Sequence, residues 1–165
     1  MMHLRVVVLW ACVLFFLFIC PAAADVEASR NSVVGIDAPG VEQLTREENC
    51  PIFISIMTSR CGACRSELTA YQEMYEKYGD KGLGIFVVSI DFGTAEEIQR
   101  LVDQLGLTFP VYWGGEKVMK AFNISYVPYK IIVSKGRVLE KQIGGWKSTS
   151  EFEAKINELF EACER

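Results

Sequence analysis

The sequence predicts an α/β domain with a central mixed sheet of four to five strands and helices on both faces. Short apolar runs such as Ile52–Met57 and Leu83–Ile90 are typical of strands that are buried on both faces. The stretches between such runs carry apolar residues at the spacing of one helix face. Near the end, Tyr129–Val133 and Val138–Ile143 are separated by a turn, which adds an antiparallel edge to a mostly parallel sheet.

Strands and helices alternate along the chain, which ends in a hairpin and a helix. The predicted strands are Ile52–Met57, Leu83–Ile90, Phe109–Trp113, Tyr129–Val133 and Val138–Ile143. The predicted helices are Leu68–Tyr78, Ile98–Leu105, Val118–Phe122 and Phe152–Phe160. A Thr94–Glu97 capping box precedes the second helix and Gly106 ends it, and a Ser148–Glu151 cap precedes the last helix. Helices that connect parallel strands cover both faces of the sheet.

The chain begins with the pattern of a secretory signal peptide. His3 and Arg5 precede the apolar run Val6–Ile19, and the small residues Ala22–Ala24 end at the expected cleavage point. An uncleaved membrane anchor is the alternative, because the uncharged stretch approaches the roughly 20 residues that span a bilayer. We therefore predict a signal peptide at 1–24, a loosely ordered lead-in at 25–49 with room for one small strand or helix, and a folded domain at 50–165.

Charge and cysteine content narrow the function. The chain has a net charge of −4 and lacks the basic character that nucleic-acid binding requires, so no nucleic-acid partner is expected. Four of its six cysteines lie beyond the leader: Cys50, Cys61, Cys64 and Cys163. Export would place them in an oxidising compartment, where disulfides persist.

The pair Cys61–Gly62–Ala63–Cys64 carries the predicted chemistry. It lies where a buried strand gives way to a helix, so Cys61 stands at the helix start and Cys64 in the first turn. Unpaired amides and the helix dipole stabilise a thiolate there and lower the thiol pKa from its usual value of about 8.5. The flanking Arg60 acts in the same direction. We predict that Cys61 attacks a disulfide and that Cys64 resolves the mixed disulfide.

Two other uses of the cysteine pair remain open. A zinc site normally needs four ligands, and the only histidine, His3, lies in the leader, so Cys50 and Cys163 would have to complete such a site. A static structural disulfide is the second possibility. Redox use is favoured because a cysteine at a helix start is activated. We therefore expect neither a metal nor a bound cofactor.

Several motifs, taken in order, resemble a known family. They are Cys61–Glu67, Val87–Asp91, Phe109–Val111, Tyr126–Pro128, and the hairpin glycine Gly136 with Gly144. This set is similar to the thioredoxin fold, and more closely to the extracytoplasmic thiol–disulfide oxidoreductases of the TlpA/ResA kind, over about residues 50–160. The resemblance implies a cis proline at Pro128 beside the cysteines and a Val127 backbone that pairs with substrate.

The resemblance also gives Glu67 a role, and the chain differs from its relatives at three positions near the cysteines. A glutamate three residues after the second cysteine, here Glu67, would relay a proton to or from Cys64; the alternative is a first-turn acid that faces the helix dipole. Relatives usually carry Trp where this chain has Arg60 and often Pro where it has Ala63, and thioredoxins bury an acid where it has Ser55. Client choice is therefore expected to depend on Arg60, Gly62, Ala63 and Val127.

The function implied by the resemblance is an exported, periplasmic or secreted thiol–disulfide oxidoreductase. It would reduce disulfides in client proteins and be recharged by a membrane-side thiol reductant, with no bound cofactor. A thiol peroxidase is one alternative, since Thr58 and Arg60 stand near Cys61, although the Pro-rich loop of such enzymes is missing. A non-catalytic thioredoxin-fold binding module is another.

Cys50 and Cys163 are predicted to form a structural disulfide far from the redox pair. Cys163 continues the apolar stripe of the last helix, and Cys50 stands just before the first core strand. In the implied topology, the last strand runs antiparallel to that strand and the last helix returns toward Cys50. Two buried free thiols are the alternative.

Overall fold

The computed structural model describes residues 31–164, in which six strands form one mixed sheet flanked by five helices. The strands are β1 (Val34–Gly35), β2 (Ile52–Met57), β3 (Gly84–Ser89), β4 (Val111–Trp113), β5 (Tyr129–Ser134) and β6 (Arg137–Ile143). The helices are α1 (Ala38–Leu44), α2 (Gly62–Tyr78), α3 (Ala95–Leu105), α4 (Gly115–Ala121) and α5 (Thr149–Glu164), with a 3-10 turn at Gly79–Lys81. The signal peptide predicted at 1–24 lies outside the described residues.

The sheet has one strand more than the four to five expected. The extra strand, β1, pairs in parallel with β4 at the sheet edge, with Val34 opposite Tyr112. Residues 31–49 also hold α1, whose first turn contains Pro39 and whose N-terminus is capped by Asp37. The lead-in thus contains both a strand and a helix from residue 34 onward, more structure than the expected loose segment.

The core lies in two layers, one on each face of the sheet. In β2, Ile52, Ile54 and Ile56 face the layer under α1 and α4, whereas Phe53 and Met57 face the layer under α2, α3 and α5. This alternation follows from the two-residue period of a strand, and all six residues of β2 are buried. Helices on both faces of a mixed sheet are therefore confirmed.

Two predicted capping boxes have different outcomes. At α5, Ser148 Oγ accepts a hydrogen bond from the Glu151 N–H at 3.1 Å, and the Glu151 carboxylate accepts one from the Lys147 N–H. At α3, Thr94 is the N-cap residue but its side chain makes no capping hydrogen bond, so that predicted box does not form. The predicted stop is confirmed, since Gly106 ends α3 with a φ of 61°.

One edge of the sheet collects the loops that form the site. The parallel strands β2, β3 and β4 all end there, followed by Cys61, Asp91 and Gly114 respectively. Strand β5 is antiparallel to β2 and begins at the same edge, where Tyr129 lies opposite Ile56. The Pro128 loop therefore meets the start of α2, as expected for the site edge of an open α/β sheet.

A disulfide joins Cys50 to Cys163 at the opposite edge, with an S–S distance of 1.98 Å. The expected route between them was wrong in one respect. Strand β6 is antiparallel to β5, and β5 is antiparallel to β2, so the last strand runs parallel to β2. The helix α5 then runs back across the sheet and brings Cys163 to the start of β2, where Ser134 Oγ lies 3.3 Å from Cys50 Sγ.

Candidate active site

The candidate site is built around the start of α2. Cys61 is the N-cap residue, and its Sγ accepts a hydrogen bond from the Cys64 N–H at 3.1 Å. The two sulfurs form a disulfide, with Cys64 only 2% exposed and Cys61 partly exposed. Cys61 is therefore the sulfur that an outside molecule reaches. In the reduced protein, the same N–H and the helix dipole would stabilise its thiolate.

The Pro128 loop lies against this sulfur. The Val127–Pro128 peptide bond is cis, and the Val127 carbonyl oxygen is 3.9 Å from Cys61 Sγ. The Pro128 carbonyl accepts a hydrogen bond from the Gly144 N–H at 2.8 Å, which ties the loop to the segment after β6. The structure thus brings together Cys61, Cys64, Val127 and Pro128, while Arg60, Gly62 and Ala63 form the exposed surface beside them.

Glu67 lies below the cysteines in a buried cluster. Its Oε1 accepts a hydrogen bond from the Trp146 N–H at 2.6 Å and lies 3.0 Å from Lys130 Nζ. Its Oε2 accepts a hydrogen bond from the Tyr71 hydroxyl at 3.1 Å. Because α2 begins at Gly62, Glu67 stands in the second turn and is 5% exposed, so the interpretation as a first-turn acid is wrong.

Tyr71 remains a neutral donor to this carboxylate. Burial of the ring and the nearby Glu67 charge raise the pKa of Tyr71 far above its usual value of 10.0. The hydroxyl also contacts Ser55, which stands where thioredoxins bury an acid. The carboxylate of this site is thus supplied by α2 instead of by β2.

The raised pKa of Tyr71 predicts a loss of stability at high pH. Above about pH 10 the unfolded chain releases the Tyr71 proton while the folded chain keeps it, so the free energy of unfolding falls with rising pH. This single group contributes a slope of about 1.4 kcal/mol per pH unit. We expect urea unfolding between pH 9 and 11 to show a shallower decline for Tyr71→Phe than for the unchanged protein. Tyr126→Phe, which removes an exposed phenol, is the control and should leave the slope unaltered.

Asp91 fixes the segment that precedes Cys61. Its carboxylate accepts hydrogen bonds from the Ser59 N–H at 2.8 Å, from Ser59 Oγ at 2.9 Å and from Ser89 Oγ at 2.6 Å. The Asp91 carbonyl accepts one more from the Trp113 indole at 3.2 Å. These bonds fasten the β2–α2 loop to the ends of β3 and β4, so the position of Cys61 is set from three strands.

Sequence reasoning missed the roles of Asp91, Tyr71 and Lys130. The motif Val87–Asp91 and the helix pattern Leu68–Tyr78 contain Asp91 and Tyr71 without indicating these contacts. Lys130 is 1% exposed at the second position of β5, although lysine is almost never fully buried without a partner. A lysine next to an apolar run in a predicted buried strand was the sequence feature that could have indicated a buried ion pair.

A cavity of about 450 Å³ opens beside the segment that precedes Cys61. It is lined by Thr58, Arg60, Asp91, Phe92, Gly93 and Glu97. Phe92 and Tyr126 are 77% and 70% exposed at this edge of the sheet. Within residues 31–164, no three His, Cys, Asp or Glu side chains are arranged to hold a metal ion, and no helix in that range is both long and apolar enough to cross a membrane.

Comparison with known proteins places this site in a family. Residues 36–142 match the AhpC/TSA family. The chain belongs to that family. The chain is also similar to thiol-disulfide oxidoreductase ResA of Oceanobacillus iheyensis, which is 25% identical over 71% of this chain and 61% of its own length. ResA of Bacillus anthracis is 30% identical over 56% of this chain and 54% of its own length.

Solved structures agree with this assignment. An uncharacterized thioredoxin-like protein from Porphyromonas gingivalis is 29% identical and superimposes with a TM-score of 0.59, covering 70% of this chain and 78% of its own. The expected thioredoxin-like fold is therefore confirmed. The match spans 61% and 54% of the length of these two ResA proteins.

Proposed function

We propose that the protein is an exported thiol–disulfide oxidoreductase that reduces disulfides in client proteins. The observation that carries this proposal is the pairing of a partly exposed Cys61, capped by the Cys64 N–H, with a Cys64 that is 2% exposed. An accessible nucleophile beside a shielded partner is the arrangement that disulfide exchange requires. The names of the ResA relatives support the same reaction.

The reaction consumes two thiols of the protein for each client disulfide reduced. The Cys61 thiolate attacks one client sulfur, the client disulfide breaks, and a client thiolate leaves. Cys64 loses its proton to that thiolate and attacks Cys61 Sγ, which forms the Cys61–Cys64 disulfide and releases the second client thiolate. Two electrons have then passed to the client, and a thiol reductant on the membrane side restores the dithiol.

Client binding is proposed to use the surface around Cys61. An extended client segment would pair with the Val127 backbone beside Pro128 and lie over Gly62 and Ala63. The charged Arg60 stands where relatives usually have Trp and would favour clients with acidic or polar residues near the cysteine. Exposed Phe92 and Tyr126 flank this surface and supply apolar contacts.

Export is part of the proposal. Its support is the leader pattern at 1–24 together with two disulfides in the described part of the chain, since disulfides persist in oxidising compartments. Whether the leader is cleaved or anchors the protein is tested by the N-terminal sequence of protein recovered from the membrane and soluble fractions.

The direction of electron flow is tested by the reduction potential of the Cys61–Cys64 pair. The residues between the cysteines, Gly62 and Ala63, lack the histidine that strong oxidants of this fold carry. We expect equilibration with glutathione to give a value near the thioredoxin end, about −270 mV. A value near about −120 mV would mean that the protein oxidises its clients instead. The matched control is Cys50→Ser/Cys163→Ser, which leaves only the redox pair to titrate.

A thiol peroxidase is the second candidate, favoured by the cavity that Thr58 and Arg60 line next to Cys61. In that case, hydrogen peroxide would oxidise the Cys61 thiolate to a sulfenic acid and Cys64 would condense with it, releasing water. Peroxide consumption in single-turnover mixing, faster than for a free thiol, would favour this activity over disulfide reduction.

A Cys61 thiol that titrates near about 8.5 would favour a non-catalytic binding module.

A further inference from the structure

A buried lysine connects the three segments of the site. Lys130 Nζ lies 3.0 Å from Glu67 Oε1 on α2, donates a hydrogen bond to the Gly144 carbonyl, and stands 4.7 Å from the centre of the Trp146 ring. Glu67 and the Gly144 carbonyl take two of the three donors of the ammonium group, and the face of the Trp146 ring attracts its charge. Because Pro128 lies just before β5 and its carbonyl accepts a hydrogen bond from the Gly144 N–H, the lysine holds α2, the Pro128 loop and residues 144–146 in one arrangement.

Of the residues that the structure describes, Lys130 is the one charged group among the hydrogen-bond and ionic partners of Glu67. Glu67 receives three donors, from Trp146, Lys130 and Tyr71, out of about four acceptor positions on a carboxylate. Of these donors only Lys130 carries a charge, since Tyr71 stays neutral. The ion pair is therefore a neutral unit, with side chains 2% and 5% exposed.

The pair lies close enough to the cysteines to act on them. Glu67 follows Cys64 by three residues on the buried face of α2, and residues at that spacing have Cβ atoms about 5–6 Å apart. Charges in such a buried site are little screened by solvent. Other charged side chains facing the cysteines are Arg60 and Arg65, which are exposed at the helix start, and Asp91, which is bound by Ser59 and Ser89.

We propose that Lys130 is a positioning residue of the redox site: its ion pair with Glu67 fixes the carboxylate below the cysteines and cancels its charge, and so sets the ionisation of the cysteine thiols. This inference rests on the proposed function, because that function requires the thiolate. It differs from the expected proton relay through Glu67, because here the carboxylate acts through its charge, with three donors around it. The proton of Cys64 then passes to the departing client thiolate, as in the reaction above.

The test removes either the positive or the negative member of the Lys130–Glu67 pair and compares the effects on the Cys61 thiol. Lys130→Met leaves a buried carboxylate without its partner, so the pKa of the Cys61 thiol should rise by about one unit; Glu67→Gln leaves an unpaired ammonium, so it should fall by about as much. The double variant restores neutrality and should titrate close to the unchanged protein. The readout is the rate of Cys61 alkylation by iodoacetamide against pH in the reduced protein. Lys141→Met, at an exposed position of the neighbouring strand, is the control.

The redox equilibrium with glutathione provides a second readout. Each single variant should change the equilibrium constant about tenfold, equivalent to about 30 mV. The Lys130→Met potential should become more negative and the Glu67→Gln potential less negative, because a stabilised thiolate favours the reduced form. If Lys130→Met does not fold, Glu67→Gln and the double variant still give the comparison.

Two outcomes would overturn the inference: unchanged titration in the single variants, or shifts of the same sign, which would indicate a general disturbance of packing. Alkylation needs no client protein, so it tests Lys130 separately from the proposed activity. A protein that fails to reduce any disulfide yet shows the opposed shifts would contradict the proposed function and keep the role of Lys130.

Discussion

Replacing Cys61 with serine is expected to lower the rate of insulin reduction to that of the chemical reductant alone. A serine hydroxyl is not ionised at neutral pH even at a helix start, so no nucleophile would remain at the exposed position. Cys64 cannot substitute for it, because its side chain is 2% exposed beneath the start of α2. The assay follows precipitation of the insulin B chain with dithiothreitol as electron source.

The partner variant, Cys64→Ser, is expected to stop the reaction one step later. Cys61 would still attack the client, but no second sulfur would release it, so a mixed disulfide should accumulate and appear on a non-reducing gel. Cys61→Ser should trap none. The variant Cys50→Ser/Cys163→Ser is the matched control and should keep both turnover and release, since those cysteines lie at the other end of β2. Unchanged turnover in Cys61→Ser would contradict the proposed mechanism.

The main elements of the fold could be predicted because their signals are local. The run Ile52–Met57 is apolar throughout, and the spacing of apolar residues in α2 and α3 is helical. Strand β1 could not be found this way. It consists of Val34 and Gly35, too short for any period, and its pairing with β4 depends on residues nearly eighty positions away.

The site likewise has features with a local sequence signal and features that depend on distant residues. Cys61 and Cys64 are neighbours in sequence, so their spacing and the strand-to-helix transition were sufficient to predict a redox pair. Two of the three partners of Glu67 come from β5 and from the segment after β6, and only the folded chain brings Lys130 and Trp146 to that carboxylate. The redox cysteines could therefore be predicted from the sequence, whereas the buried ion pair below them could not.

Removing the Cys50–Cys163 disulfide is expected to have the largest effect on stability. The bridge joins residues 113 positions apart, so its loss frees almost the whole folded domain in the unfolded state. The chain-entropy relation gives a loss of about 4–5 kcal/mol for a loop of this length. Native domains are stable by only about 5–15 kcal/mol, so Cys50→Ser/Cys163→Ser would lose a large share of its stability.

The redox disulfide provides the internal comparison for this prediction. The Cys61–Cys64 bridge joins residues only 3 positions apart, so the same relation gives about 2 kcal/mol for Cys61→Ser/Cys64→Ser. Urea unfolding of both double variants should therefore rank them in that order. The slope of the free energy against urea should also rise for Cys50→Ser/Cys163→Ser, because its unfolded chain exposes more surface.

A free-thiol count checks the Cys50–Cys163 bridge in solution. Unfolded under oxidising conditions, a chain that begins at Asp25 and so lacks Cys12 and Cys20 should show no reactive thiols. Two reactive thiols, with no stability lost in Cys50→Ser/Cys163→Ser, would contradict the pairing. The bridge that stabilises the domain thus lies at one edge of the sheet and its redox pair at the other. A reductant that reduces the Cys61–Cys64 disulfide leaves the Cys50–Cys163 disulfide intact only if the Cys50–Cys163 reduction potential is the more negative of the two.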